Sequence, residues 1–279
     1  MENFGDSSAS RQRFARLVAR PDGQIDLAEG ALLIAAEEYP ELDIEDQLRR
    51  LDGLADAARG ALAEVEDDPL LRLQRLNRFL FVESGFRGNR EDYYDPRNSF
   101  LNEVLERRLG IPITLSLVLM EVGRRAGVEL EGVGFPGHFL VRHGQTLLDP
   151  FDGGRFLNCH DCQDLLACMT GGRMPFHDGL LRTASNHEIL LRMLNNLRGI
   201  YSEIGDQERV IAVLDRLLLL APEDGILRRD RGLLLLERGE CSRALADLQA
   251  YLTAEPGALD RCRIELAAMR AQRRAGLVN

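Results

Sequence analysis

The sequence predicts an α+β chain that is predominantly helical, with a small antiparallel sheet near its middle and an array of paired helices at its end. Three observations carry this reading. Apolar residues recur at helical spacing through most of the chain. One stretch, GHFLVRHGQTLLDPF (137–151), instead shows two short apolar runs around a turn, which is the pattern of a hairpin. From residue 187 onward, Gly205 and Gly239, Val210 and Ala244, and Pro222 and Pro256 are each separated by 34 residues, the period of a helix–turn–helix repeat.

Composition narrows the class. A hydrophobic content of 45% supplies enough apolar surface for real cores. The net charge of −10 is concentrated at the front: residues 1–68 hold 17 acids against 7 arginines, and the remainder balances. An acidic front and a neutral body argue against nucleic acid as a partner. No apolar run reaches the length of a membrane span, and the first residues show no apolar core of a signal peptide, so neither a membrane nor a leader is expected. All 35 basic residues are arginine, so this chain offers no lysine of its own as an amine acceptor. Five cysteines form no regular framework, which suits a reducing cytoplasm.

In order, residues 1–25 are a polar segment with one short helix near Ser10–Ala19. Residues 26–186 form the first domain. Within it, Ile25–Glu38 has helical spacing and stops at Pro40. Ile44–Val65 is a second helix with Gly53 and Gly60 as candidate breaks, and Pro69 opens a third at its first turn. GFRGNREDYYDPRNS (85–99) is dense in turn formers, and Asn98 or Ser99 is expected to cap the helix that follows. So elaborate a loop suggests a cleft wall, with Tyr93, Tyr94, Asp95 and Asn98 as substrate-binding candidates. The other reading is an ordered loop whose Asp and Asn satisfy its own backbone.

The next helix begins after Gly110 and Pro112, with Thr114 as N-cap, and runs to about Arg125 before Gly127. Ser116 then falls in its first turn, where free N–H groups and the helix dipole favour negative charge. In the hairpin, a two-residue turn at His143-Gly144 pairs Arg142 with Gln145, Phe139 with Leu148, and His138 with Asp149. Directly opposed Cβ atoms lie about 4.5–5.5 Å apart. Asp149 can therefore hold the His138 ring and select its tautomer, although His138 also suits a satisfied core histidine. Ser116, His138 and Asp149 together have the composition of a nucleophile, a base and its orienter.

Residues 187–279 form the repeat region. Gly205 and Gly239 allow the tight turns, Leu197, Tyr201, Gly232 and Leu235 occupy packing positions, and Ala244 permits close helix approach. Two copies cannot bury their own faces, so a further helix pair across 259–274 is expected. Such an array is either a binding face for a protein or peptide partner or an internal brace. Cys159-His160-Asp161-Cys162, with Cys168 and His177, matches no standard zinc spacing. No metal and no cofactor are assigned.

The segments GFRGNREDYYDPRNSFLNEVLERRLGIPITLS, GVGFPGHFLVRH and LLDPF resemble the SirB-type bacterial family, which carries a transglutaminase-like domain. The order nucleophile on a helix, His on a strand, Asp on a strand resembles the transglutaminase core, a papain-like arrangement. The resemblance spans about residues 28–180 and continues into a tetratricopeptide tail. It implies an acyl hydrolase or acyltransferase with Ser116 at the position resembling the catalytic Cys. That replacement matters. A thiol of pKa about 8.5 ionises readily at a helix start, whereas a dipole contribution of about 0.3–1 kcal/mol cannot make an alkoxide of serine. Ser116 would need His138 as a true general base, worth about 10²–10⁴ in rate, and an oxyanion hole that the sequence does not reveal. The alternative is a fold without chemistry, binding a partner through its cleft and repeats. A third reading is a small-ligand pocket lined by Tyr94, Asn98 and His138.

Overall fold

The computed structural model describes residues 7–276, which divide into two compact units, one ending at Met193 and the other beginning at Leu194. The chain is mostly helical, with small sheets, as its patterning predicts.

The first unit opens with α1 (Ser7–Val18), α2 (Leu27–Ala35), α3 (Ile44–Leu62) and α4 (Pro69–Arg78). The last three start alike: Asp26, Asp43 and Asp68 each accept a hydrogen bond from the backbone N–H three residues on, satisfying a donor that the helix leaves free. Helix α2 is apolar nearly all round and is buried along almost its whole length. Helix α3 runs unbroken through Gly53 and Gly60, the two candidate breaks. Leu51, Ala55, Ala58 and Leu62 hold its inner face at helical spacing, and that burial outweighs the cost of about 1 kcal/mol per glycine. Leu73 and Leu76 of α4 and Leu80 just beyond it are core, while Leu70 is exposed. The helix ends in a π-helical turn, Phe79–Glu83.

Beyond it, β1 (Arg87–Gly88) pairs in parallel with β2 (Leu109–Gly110), bracketing the loop and α5 (Leu101–Arg107). The expected cap of α5 is corrected. Its N-cap is Phe100, with no side-chain bond, because Asn98 and Ser99 belong to a preceding 3-10 turn, Pro96–Ser99, that is itself capped by Asp95. Helix α6 (Pro112–Ala126) follows and is buried almost throughout. Its start is also corrected. Ile111 is the N-cap and Thr114 is the third helical residue, its Oγ1 accepting from the Ile111 N–H at 3.1 Å.

The remaining strands, β3 (Glu131–Val133), β4 (Leu140–His143), β5 (Thr146–Asp149) and β6 (Arg155–Leu157), form one antiparallel sheet in that order. Val133, Phe135, Leu140 and Leu147 pack there against Cys162 and Leu166 of α7 (Cys159–Thr170). The β4–β5 register pairs Val141 with Leu148, Arg142 with Leu147, and His143 with Thr146. The turn is therefore Gly144-Gln145, one residue later than expected. The reason is local: the first central residue of this turn has φ +56°, which glycine adopts freely and histidine does not. Moving the turn by one residue shifts each partner by two positions, and a shift of two keeps every side chain on its own face. Asp149 thus lies opposite Leu140, with His138 a diagonal step away.

Helix α8 (Asn186–Glu203) begins in the first unit, where the Asp22 carboxylate accepts from the backbone N–H groups of both Asn186 and His187. The second unit continues with α9 (Gln207–Leu220), α10 (Gly225–Glu237), α11 (Cys241–Ala254) and α12 (Arg261–Arg274). Gly205 and Gly239 have φ of +76° and +82°, the same turn one repeat apart. Gly232 lets α10 close on α11, since a Cβ there would meet Leu248 at 2.9 Å. Leu235, Ala244, Leu248, Ile264 and Ala271 are fully buried in the core that α12 completes. A single helix, rather than the expected pair, closes the array among the described residues. Arg231 ties α10 to α9 and α11 through Asp215 at 2.8 Å and Asp247 at 2.7 Å.

Candidate functional site

His138 is held just outside β4 by a tight turn. Pro136 and Gly137 occupy its two central positions, Gly137 has φ +67°, and the His138 N–H donates to Phe135 O at 3.1 Å. Proline followed by a left-handed glycine is the signature of a type II turn. The turn delivers the imidazole to Asp149: Nε2 lies 2.9 Å from Asp149 Oδ1, and both residues are buried. The same Oδ1 accepts from the backbone N–H of Phe151 at 3.0 Å and of Asp152 at 3.3 Å. Asp149 thereby caps the short helical turn Pro150–Asp152 and orients the histidine with one oxygen. A carboxylate accepts, so Nε2 carries the proton in this bond and Nδ1 is left as the basic nitrogen.

Ser116 sits elsewhere in the local chemistry. Because α6 starts at Pro112, Ser116 is its fifth residue and lies beyond the first turn, whose N–H groups are free of helical partners. Its side chain has 0% exposure, and Oγ has no hydrogen-bond partner. No hydrogen bond joins it to His138 among the described residues.

The loop residues divide. Asn98 is fully buried and spent within the loop: Nδ2 donates to Asp92 O at 2.7 Å, Oδ1 accepts from Asn89 Nδ2 at 3.0 Å, and the Asn98 carbonyl accepts from Thr114 Oγ1 at 2.7 Å. This network fastens the loop to the start of α6. Asp95 pairs with Arg97 at 2.8 Å and Arg107 at 3.2 Å. Burial raises its pKa, but hydrogen bonds from Arg97 and the two arginine charges outweigh that and hold the carboxyl below its ordinary value. Tyr94 is 65% exposed.

Three residues without a role assigned from sequence, Phe151, Gly88 and Arg192, complete the surroundings. Phe151 packs edge-on against His138, with ring centroids 6.1 Å apart, and against Tyr93 at 5.7 Å. Gly88 lies directly beneath it: a Cβ there would come within 2.6 Å of the Phe151 ring and carbonyl. A lone glycine in a two-residue strand was the available signal for that close approach. Arg192 of α8 lies over the Phe139 ring at 5.5 Å and donates to Phe135 O at 2.9 Å, bracing the turn that carries His138. Burial lowers the Arg192 pKa, and burial raises that of Tyr93.

The sheet and α6 place a histidine–carboxylate pair beside an aromatic wall. The family model described as the transglutaminase-like superfamily matches residues 45–195, and a tetratricopeptide-repeat model matches residues 197–272. A UPF0162 protein of Xylella fastidiosa is 41% identical over 242 residues, covering 84% of this chain and 86% of the relative. The chain belongs to the transglutaminase-like superfamily, within the UPF0162 proteins. A further member of that group, UPF0162 protein PA3419 of Pseudomonas aeruginosa, is 38% identical over 200 residues, covering 70% of this chain and 72% of its own. F-box only protein 21 of Mus musculus is 36% identical over 137 residues, which are 45% of this chain and 21% of that protein. No solved structure matches. The superfamily match contains the turn, the hairpin, α6 and the loop, and the repeat match contains the end of α8, all of α9 to α11 and nearly all of α12.

Cys159 to Cys162 begin α7, where Asn158 caps the Asp161 N–H at 3.0 Å and Cys162 is buried. Among the described residues, no group of three or more His, Cys, Asp or Glu is placed to hold a metal ion. No helix among them is long and apolar enough to cross a membrane.

Proposed function

We propose that this protein works by binding: its transglutaminase-like fold and tetratricopeptide repeats form a scaffold for a protein or peptide partner, and its core carries out no acyl transfer. The observation that carries this reading is Ser116, whose hydroxyl is sealed inside α6 with no partner. A serine nucleophile requires a base within hydrogen-bond reach and a path for the acyl group. Ser116 has neither bond nor exposure. His138 and Asp149 then serve as a structural pair that pins the type II turn to β5, and Asp95 and Asn98 hold the loop that faces it. Repeats of this kind commonly bind protein segments, and the second unit presents exposed apolar side chains, Ile226 and Leu266 among them. The SirB-type affiliation and a cytoplasmic location belong to the same reading, the latter supported by five free cysteines.

The competing reading is a Ser116-His138-Asp149 acyl hydrolase or acyltransferase, with Tyr94, Asp95 and Asn98 at the substrate. The 2.9 Å His138–Asp149 bond favours it, since that is how a base is oriented in a triad.

The test pairs two measurements. A serine-reactive phosphonate should label the wild type no more than Ser116→Ala. A partner crosslinked to the full chain should remain after Ser116→Ala and be lost after Ile226→Asp. Labelling that depends on Ser116 would establish the enzyme reading and overturn the scaffold.

A further inference from the structure

A pocket lined by none of the residues of the His138 site lies between α3 and the end of α5. It measures about 420 Å³ and is lined by Arg50, Gly53, Leu54 and Ala57 on one side and Leu105, Glu106 and Arg108 on the other. That volume falls in the range of about 300–1,000 Å³ typical of small-molecule sites. Gly53 faces open space on its wall, since a Cβ there would meet nothing within 4 Å.

Arg108 is unusual in backbone and side chain together. It is the only non-glycine among the described residues with positive φ, at +60°, because it closes α5 in the left-handed conformation where glycine is favoured. Retaining a long side chain at a strained position points to a use for that side chain. Its guanidinium lies 4.6 Å from the Phe86 centroid. A guanidinium carries five N–H donors, yet none of these has a hydrogen-bond or carboxylate partner among the described residues, and Nη1 is sealed from solvent. Burial, and then the charge of Arg50, lower its pKa. Arg50 is itself weakly engaged, with Glu106 at 3.9 Å and Gln47 at 3.4 Å. Arg50 and Arg108 thus bring two like charges to one pocket, and the solvent-accessible donors of Arg108 meet no acceptor from the described residues.

We propose that this pocket binds a small phosphomonoester, its phosphate between Arg50 and Arg108 and its organic body against Leu54, Ala57 and Leu105. A phosphate presents several acceptor oxygens to both forks at once and carries enough charge to neutralise two arginines.

The experiment is calorimetric titration of the full chain at constant ionic strength with phenyl phosphate, inorganic phosphate and benzoate. Phenyl phosphate should bind with a Kd below about 1 mM, more tightly than inorganic phosphate, which lacks the apolar body. Arg108→Gly suits φ +60° and should fold normally by circular dichroism, yet weaken phenyl phosphate binding at least about tenfold. Arg50→Gln should do the same without touching the strained position. No binding of phenyl phosphate, undiminished binding by both variants, or benzoate binding as tightly as phenyl phosphate would each overturn the assignment.

Discussion

Replacing Asp149 by alanine should cost the first unit about 3 kcal/mol of stability, far more than replacing it by asparagine. One carboxylate oxygen accepts three hydrogen bonds, from His138 Nε2 at 2.9 Å, Phe151 N at 3.0 Å and Asp152 N at 3.3 Å. Alanine strands all three donors, of which His138 is buried, at 5% exposure, and the two backbone N–H groups are partly buried. A buried donor left unmade costs about 1–3 kcal/mol. The longest of the three bonds contributes least, so the sum falls near the low end, at about 3 kcal/mol. Asparagine keeps an acceptor oxygen and the two backbone bonds, and loses mainly the charge-assisted part of the histidine bond, about 1 kcal/mol. Urea denaturation followed by far-UV circular dichroism suits a chain without tryptophan. Hydrogen exchange at the Phe151 and Asp152 amides gives a local check, with faster exchange expected in the alanine variant only. Alanine and asparagine variants of equal stability would refute the shared-acceptor account.

Other outcomes follow from the same geometry. Ser116→Ala removes a sealed, unpartnered hydroxyl and should raise stability by about 1 kcal/mol, read as a higher urea midpoint; a loss would mean that Oγ has a partner after all. Gly88→Ala drives a methyl into Phe151 and should cost about 1–3 kcal/mol, with the same readout. Asp95 is held below its ordinary pKa by Arg97 and Arg107. Its contribution is therefore present above the unfolded value of about 4 and is lost as pH falls through the lower folded value. Asp95→Asn should be less stable than wild type at neutral pH, with a gap that closes in acid, measured as urea midpoints across that range.

Much of this architecture was legible from the chain alone, because the signals were local. The helical spacing over 25–38 and 44–65, the proline at the head of α4, and the paired glycines 205 and 239 each act within a few residues of themselves. The presence of a hairpin bearing His138 and Asp149 was legible for the same reason. Its register was not. The choice between His143-Gly144 and Gly144-Gln145 depends on which residue must take positive φ, and the two answers differ by two positions along β5. The pair still shares a face because the displacement is even.

What only the tertiary structure decided is where each helix begins and what surrounds it. Sequence could place Ser116 on a helix, but the burial of α6 on nearly every side, and with it the sealing of that hydroxyl, comes from neighbours distant in the chain. The seat of Phe151 on Gly88 and the convergence of Arg50 with Arg108 likewise join residues far apart in sequence. Local patterning sets the secondary structure through propensity and capping. Packing settles which polar groups meet a partner and which are left without one, because that depends on every element that closes around them.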